Sequence, residues 1–217
     1  MQWELLAGLP ERERRPLIAG ATRRRFARGT VIFHEGDPGG ALHLIDKGRV
    51  AVRLSTPTGD TVFLRVIGAG GWFGDLSMIS PAQRNATILA LEPTETLVIQ
   101  RDQADELRRR VPEFEALLVN ALVAEVRRLS TALLDALFVP VDKRLFRALV
   151  RLDEVYRSAD PVTHIPLTQE EVAQLVGTTR PTLNKHLRAA AAAGYLSMRR
   201  GSIDLLDRDA IARHARG

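Results

Sequence analysis

The chain has 217 residues, a formal net charge of +5 and no cysteine, enough for one large or two modest domains. The missing cysteines exclude disulfides, thiolate zinc sites and cysteine-ligated iron–sulfur clusters. No apolar run approaches the ~18–20 residues of a membrane span, and the opening MQWELLAGLPERERR has no secretory apolar core, so a cytoplasmic protein without a membrane partner is expected.

Met1–Arg15 reads as a short amphipathic helix. From about Thr22 to Ile99 the texture changes to short β-type runs: Gly29–Phe33, Ala41–Ile45, Gly48–Leu54, Thr61–Ile67, Ala86–Ala90 and Glu95–Ile99. Turn signals separate them at Glu35–Gly40, Asp46–Gly48 and Pro57–Asp60. Short strands at such regular spacing predict a β-barrel or jelly roll. His34 and His43 fall in this region without a partner at metal- or haem-ligand spacing, so packing or solvent is the expected role for each.

Between Pro112 and Pro140, Phe114, Leu117, Leu118, Ala121, Leu122, Val126, Leu129, Leu133, Ala136 and Leu137 recur at three- and four-residue steps. About 28 residues at ~1.5 Å each give a helix of roughly 40 Å, long for a globular domain. Leu122, Val126, Leu129, Leu133 and Ala136 follow the 4-3 rhythm of a two-stranded coiled coil. Two readings stand: a self-association seam, or a stripe wholly buried against the chain's own barrel. Pro140 breaks this helix, making Val139-Pro140-Val141 a hinge. A helix over Asp142–Arg157 is expected to open the next domain.

The most informative segment follows. Thr168 with Glu171 three residues later forms a capping box, and Val172, Ala173, Leu175 and Val176 make one apolar stripe. Gly177 allows the left-handed backbone of a sharp turn. Thr178 or Thr179 caps the next helix, which tolerates Pro181 in its first turn. Leu183 and Leu187 face inward, leaving Arg180, Thr182, Asn184, Lys185 and Arg188 outward. This is the layout of a DNA-reading helix-turn-helix, with Arg180 where such a helix meets base edges. Arg and Lys suit guanine, and Asn suits adenine. After Gly194, Tyr195–Met198 and Ser202–Leu206 flank Arg199-Arg200-Gly201, a hairpin with a basic tip. Its guanidinium groups either grip phosphate oxygens or are simply solvated. Residues 141–217 carry thirteen Lys and Arg against nine Asp and Glu, so most of the net positive charge lies where phosphates would.

Three further pieces remain: the Glu35-Gly36-Asp37 turn with Leu44–Val50, Phe73-Gly74-Asp75-Leu76, and Arg84-Asn85-Ala86-Thr87. In this order, followed by the long helix and Thr179-Arg180-Pro181-Thr182, they give the chain a resemblance to the CRP/FNR family of bacterial transcription regulators over nearly its whole length. The resemblance implies an α+β architecture. A double-stranded β-helix jelly roll of cyclic-nucleotide-binding type would occupy residues 1–110, a dimerisation helix 111–138 and a winged helix-turn-helix 139–217. It implies a homodimer on a near-palindromic operator in double-stranded DNA, read by helix 179–193, with RNA polymerase as a further partner. Thr168, Thr179, Arg180, Pro181, Thr182, Asn184, Lys185, Arg188, Arg199 and Arg200 are the DNA-contact candidates. Leu122, Val126, Leu129, Leu133 and Ala136 are the dimer-interface candidates.

The resemblance also implies an effector pocket. Gly74-Asp75-Leu76 and Arg84-Asn85 match the family's phosphate cassette, in which a carboxylate holds ribose and an Arg-Ser pair holds the cyclic phosphate. Ser130, on the long helix, matches one of two hydroxyl residues offered to the base of cyclic AMP. Asp75 is one methylene shorter than the family's Glu, and Asn85 replaces a hydroxyl. The chemistry of a guanidinium fork for phosphate is sound in itself. The alternatives on sequence are a cyclic nucleotide such as cyclic AMP, another small effector, or no effector, with Asp75 and Arg84 paired as a salt bridge. No P-loop, Rossmann fingerprint, nucleophile elbow or His-Glu-x-x-His is present, so an enzyme is not expected and neither catalytic residues nor a metal site are assigned. A nucleotide-sensing protein-interaction module without specific DNA binding is the rival from a different class.

Overall fold

Residues 3–15 do not make the single helix expected over Met1–Arg15. A 3-10 turn, Glu4–Leu6, is followed by helix α1, Glu11–Gly20. Pro10 is the reason: it lacks an N–H and has its φ preset, so it begins a helix rather than continuing one. Met1 and Gln2 lie outside the residues that this computed structural model describes, which are 3–56, 59, 61–79 and 83–216. The expected turn Pro57–Asp60 also lies outside them, apart from Gly59. Two compact bodies result, Met1–Thr61 with Arg65–Leu129 and Val62–Leu64 with Ser130–Gly217.

The first body is built on strands β1 (Thr22–Phe26), β2 (Val31–Phe33), β3 (Ala41–Lys47), β4 (Val50–Ser55), β5 (Thr61–Ile67), β6 (Trp72–Phe73), β7 (Thr87–Ala90) and β8 (Thr94–Gln100). They form two four-stranded sheets, ordered β1-β8-β3-β6 and β2-β7-β4-β5. First thus pairs with eighth, second with seventh, third with sixth and fourth with fifth, the nested wrapping of a jelly roll. Every pair with a described register is antiparallel.

β1 was not anticipated, because Thr-Arg-Arg-Arg-Phe has neither alternation nor β-branched bulk. Tertiary pairing makes it a strand: Thr22 lies opposite Val98 and Phe26 opposite Thr94. Its cations also suit a sheet edge, where charge discourages further pairing. Arg23 binds Asp46 and Glu95 (2.5 and 2.9 Å).

Trp3, Leu6, Leu42, Leu44, Leu97 and Ile99 form the heart of this body's apolar core. Helix α2 (Leu76–Ile79) adds Met78 to the core, and α3 (Arg101–Arg110) adds Ala104 and Leu107. The long helix α4, Pro112–Phe138, contributes Phe114 and Leu118, both fully buried. Beyond Leu118 its apolar side chains emerge: Val119, Val123, Val126, Leu129, Leu133, Leu134, Leu137 and Phe138 are all exposed. The reading in which the whole stripe is buried against the barrel is therefore wrong.

In the second body, α5 (Val141–Tyr156), β9 (Thr163–Ile165), α6 (Gln169–Val176) and α7 (Arg180–Ala192) precede the hairpin β10 (Leu196–Arg199) and β11 (Ser202–Leu205), then α8 (Arg208–Arg216). The sheet order is β10-β11-β9. Leu145, Leu149, Val172, Leu183, Leu187 and Ile203 fill the core. Asp153 of α5 is buried there and accepts from Thr163 and Arg157, with Arg208 at 3.1 Å. Burial raises its pKa, but those hydrogen bonds and charges outweigh it and hold the carboxyl below its ordinary range. No helix among the described residues is long and apolar enough to cross a membrane.

Candidate ligand pocket and nucleic-acid interface

Arg84 runs back into the jelly roll, where it is only 7% exposed. Its Nη1 donates to Ala41 O (2.9 Å), Ser77 Oγ (2.9 Å) and, more weakly, Gly74 O (3.4 Å). Its carbon lies 4.0 Å above the Phe33 ring, a cation–π contact. Nε is buried and has no hydrogen-bond partner among the described residues. Burial, then the positive charge of Arg101, pulls the guanidinium pKa below its ordinary value. Arg101 itself donates to Ser77 O.

The Asp75–Arg84 salt bridge, one of the alternatives left open by the sequence, is not the arrangement found. Asp75 accepts from Trp72 Nε1 at 3.3 Å, whereas Arg84 turns to backbone and hydroxyl oxygens. Gly74, half-buried between them with φ +86°, is the residue that permits this. A Cβ there would lie 2.6 Å from both Ala41 O and Arg84 Nη1, and the backbone conformation itself disfavours other residues. Its missing side chain admits the guanidinium. Leu76 and Asn85 are exposed. Ser130 is exposed on α4 and belongs to the second body.

Sequence reasoning missed Phe33, Ala41, Ser77 and Arg101 around Arg84, since they arrive from four separate segments. It also missed the tie from β5 to α4, where Arg65 lies 3.4 Å from Glu125 and Arg128 grips the same carboxylate (2.9 and 2.8 Å). The hydrogen bonds from Arg128, then the charge of Arg65, outweigh burial and lower the Glu125 pKa.

His43 is a packing residue. It stacks on Phe73, its cross-strand partner, at 4.7 Å and 13°, and its Nδ1 meets Thr96 Oγ1 at 3.2 Å. Burial, then the charges of Arg84 and Arg24, lowers its pKa to about 3, so the ring is neutral. No cluster of three or more His, Asp or Glu side chains able to hold a metal occurs among the described residues.

In the second body the helix-turn-helix is built as its local signals require. Thr168 caps α6, accepting from Glu171 N (3.2 Å), while the Glu171 carboxylate accepts from Thr168 N (2.8 Å). Gly177 closes α6 at φ +69°, ψ +51°. Thr179 caps α7 through Thr182 N (3.4 Å), and Pro181 sits in the first turn. Leu183 and Leu187 are fully buried. Arg180, Pro181, Thr182, Lys185 and Arg188 are exposed and Asn184 half-buried. Arg199 and Arg200 are exposed at the hairpin, whose Gly201 takes φ +79°. Arg199 is not simply solvated, because its Nε lies 3.1 Å from Asp204, which also meets His164 Nδ1 at 2.6 Å. Asp204 was not singled out from sequence. Its register opposite Ser197 and His164 brings the group together.

Comparison with known proteins gives two family matches: a cyclic nucleotide-binding domain over residues 23–111 and a Crp-like helix-turn-helix domain over 143–214. The CRP-like cAMP-activated global transcriptional regulator of Mycobacterium tuberculosis is 32% identical over 195 residues, covering 88% of this chain and 87% of that protein. The cyclic AMP receptor protein of Thermus thermophilus is 31% identical over 202 residues, covering 93% and 91%. Among solved structures, the c-di-GMP responsive regulator CLP of Xanthomonas campestris superposes with a TM-score of 0.76 at 21% identity, covering 90% of this chain and 99% of that one. That last likeness bears on the fold alone. The Mycobacterium relative is a transcriptional regulator and the second family match is a Crp-like helix-turn-helix domain; this chain is not an enzyme. A jelly roll of cyclic-nucleotide-binding type, a long helix and a Crp-like helix-turn-helix, with relatives at this identity across most of its length, mean that the chain belongs to the CRP/FNR family of transcription regulators.

Proposed function

We propose that this regulator is a homodimer in the cytoplasm, paired along α4 through Leu122, Val126, Leu129, Leu133 and Ala136. Residues 1–110 sense an effector, 111–138 dimerise and 139–217 bind DNA. The observation that carries the DNA reading is the division of α7: Leu183 and Leu187 are fully buried while Arg180, Thr182, Lys185 and Arg188 project outward from a capped N-terminus. Two such helices related by a two-fold axis suit successive major grooves of a near-palindromic operator. Thr168, Thr179, Pro181 and Asn184 complete the reading face. Arg199 and Arg200 hold phosphate oxygens, which position the protein without specifying sequence. RNA polymerase is the partner through which a bound dimer acts. Arg180→Ala is expected to weaken binding to a selected operator by ~1–3 kcal/mol through loss of a base contact. Unchanged operator affinity in a gel shift would remove Arg180 from the groove.

The proposed effector is a cyclic nucleotide, with cyclic AMP first because the two relatives above carry it in their names. Gly74, Asp75, Leu76, Arg84 and Asn85 are its candidate contacts in the jelly roll, and Ser130 is a separate candidate on α4. Arg84 is already stripped of most of its water, and its Nε has no partner among the described residues. A phosphate would therefore gain charge-assisted hydrogen bonds without the cost of dehydrating a solvated guanidinium. A second reading, an effector-independent regulator, is favoured by the acceptors that Arg84 Nη1 already has in Ala41 and Ser77. Calorimetry separates the two. Cyclic AMP is expected to bind the wild type and to lose about 2–3 kcal/mol with Arg84→Ala, whose melting is followed in parallel. No heat from the wild type with any cyclic nucleotide would leave the second reading.

A further inference from the structure

Pro140 has a consequence besides ending α4. It has no N–H, so the carbonyl of Ala136, four residues earlier, is left without the donor a helix would supply. That carbonyl is nevertheless bonded. Arg144, on the first turn of α5, donates from Nη1 to Ala136 O (3.0 Å) and Val139 O (3.2 Å). The same guanidinium donates from Nε to Val176 O (3.1 Å) and from Nη2 to Gly177 O (3.0 Å). The first two carbonyls lie at the C-terminal end of α4. The others are the last of α6 and the glycine of the helix-turn-helix turn.

Helix C-termini present unpaired carbonyls and the negative end of the helix dipole, so each favours a nearby cation. Here two of them converge on one cation. A guanidinium has five N–H donors in a rigid planar fork, and four are used. An ammonium, with donors on a single nitrogen, cannot span the two sites. Arg147 secures the same end of α4 independently, through an ion pair with Asp135 and a hydrogen bond from Nε to Ala215 O (3.2 Å). The segment Val139-Pro140-Val141 reads as a hinge in the sequence, yet its first carbonyl is pinned and it is bridged directly to Gly177. All these groups belong to the second body.

We propose that Arg144 is the positioning residue that locks the helix-turn-helix turn to the end of α4, so that a dimer holds its two recognition helices at one separation. This rests on the dimeric DNA reading above. Without the lock each DNA-binding unit still recognises a half-site, but the pair no longer measures the distance between half-sites. The gain from presenting both helices at the correct separation, an effective-concentration effect, then shrinks.

The test uses the full-length protein and a palindromic operator selected by the wild type from a random library. Spacers between half-sites are lengthened or shortened by one and two base pairs. Wild type is expected to bind one spacing best. Arg144→Met, which keeps the stem and removes every donor, is expected to bind that spacing about tenfold more weakly and to lose its preference among spacers, with half-site affinity unchanged. Arg144→Lys keeps the charge beside both helix ends and hence the fold, so it serves if the Met variant melts early. Lacking the fork, it is expected to show the same flattened profile. Variants that discriminate spacers as sharply as a discriminating wild type overturn the role of Arg144 alone. A wild type that is monomeric, or indifferent to spacing, overturns the dimeric reading and this proposal with it.

Discussion

A chain carrying Leu129→Glu and Leu133→Glu is expected to sediment as a single protomer and to lose about 100-fold or more of its operator affinity. The two leucines are 44% and 60% exposed in the protomer, and Val126, Leu137 and Phe138 beside them are more exposed still. Burying a leucine is worth roughly 1.5–3 kcal/mol, and two-fold symmetry counts each position twice. Four glutamates in their place would remove that gain and set like charges against each other. Losing one of two linked half-site contacts typically costs 10²–10⁴ in affinity. The folding of the protomer should be untouched, since neither side chain is buried in it. Phe114→Ala, on the same helix but fully buried, should instead cost about 3–5 kcal/mol of stability. The double variant remaining dimeric in sedimentation would remove α4 as the seam.

Acid should destabilise the jelly roll through His43 by about 1.4 kcal/mol per pH unit. The sign follows from the lowered pKa of about 3. Above pH ~6.5, the ordinary histidine value, neither state carries the proton, so His43 has no effect. Below it the unfolded chain takes up a proton that the native chain refuses, and stability falls as pH falls. The loss stops near pH 3, where the native ring also protonates. Between pH 7 and 4 the wild type should therefore lose about 3 kcal/mol more than His43→Gln, which has no titrating ring and keeps a polar partner for Thr96. The stacking on Phe73 is lost at every pH and leaves the slope unaffected. Urea melts of both proteins at pH 7, 5.5 and 4 check this; parallel declines would show that His43 protonates freely in the fold.

The parts that the sequence foretold share one property. Thr168 with Glu171, a threonine cap on α7 (Thr178 or Thr179 by sequence, Thr179 in the structure), and the turns at Gly177 and Gly201 each act over four residues or fewer, so their chemistry is complete within a short stretch of chain. The same holds for the inward leucines of α7 and for most strands of the jelly roll. The first long helix was the exception: its apolar period is uniform, but Phe114 and Leu118 are buried whereas Val126, Leu129, Leu133 and Leu137 are exposed. Periodicity shows that a face is apolar and not what covers it.

The sites were less legible. Arg84 could be singled out, but not its acceptors Ala41 and Ser77, and the salt bridge with Asp75, left open as an alternative to an effector site, does not form. Asp204 and its hold on Arg199 depend on strand register. β1 depends on a partner strand more than seventy residues away, because three successive arginines have no strand pattern of their own.

Local order and the division of inward from outward side chains came from the amino-acid sequence alone, because hydrogen bonds between near neighbours and apolar periodicity need nothing distant to decide them. Which charged group meets which carbonyl or carboxylate was decided only by tertiary structure. A buried guanidinium takes whatever acceptors the packing leaves unsatisfied. For Arg84 those come from β3 and α2, and for Arg144 from the ends of two helices.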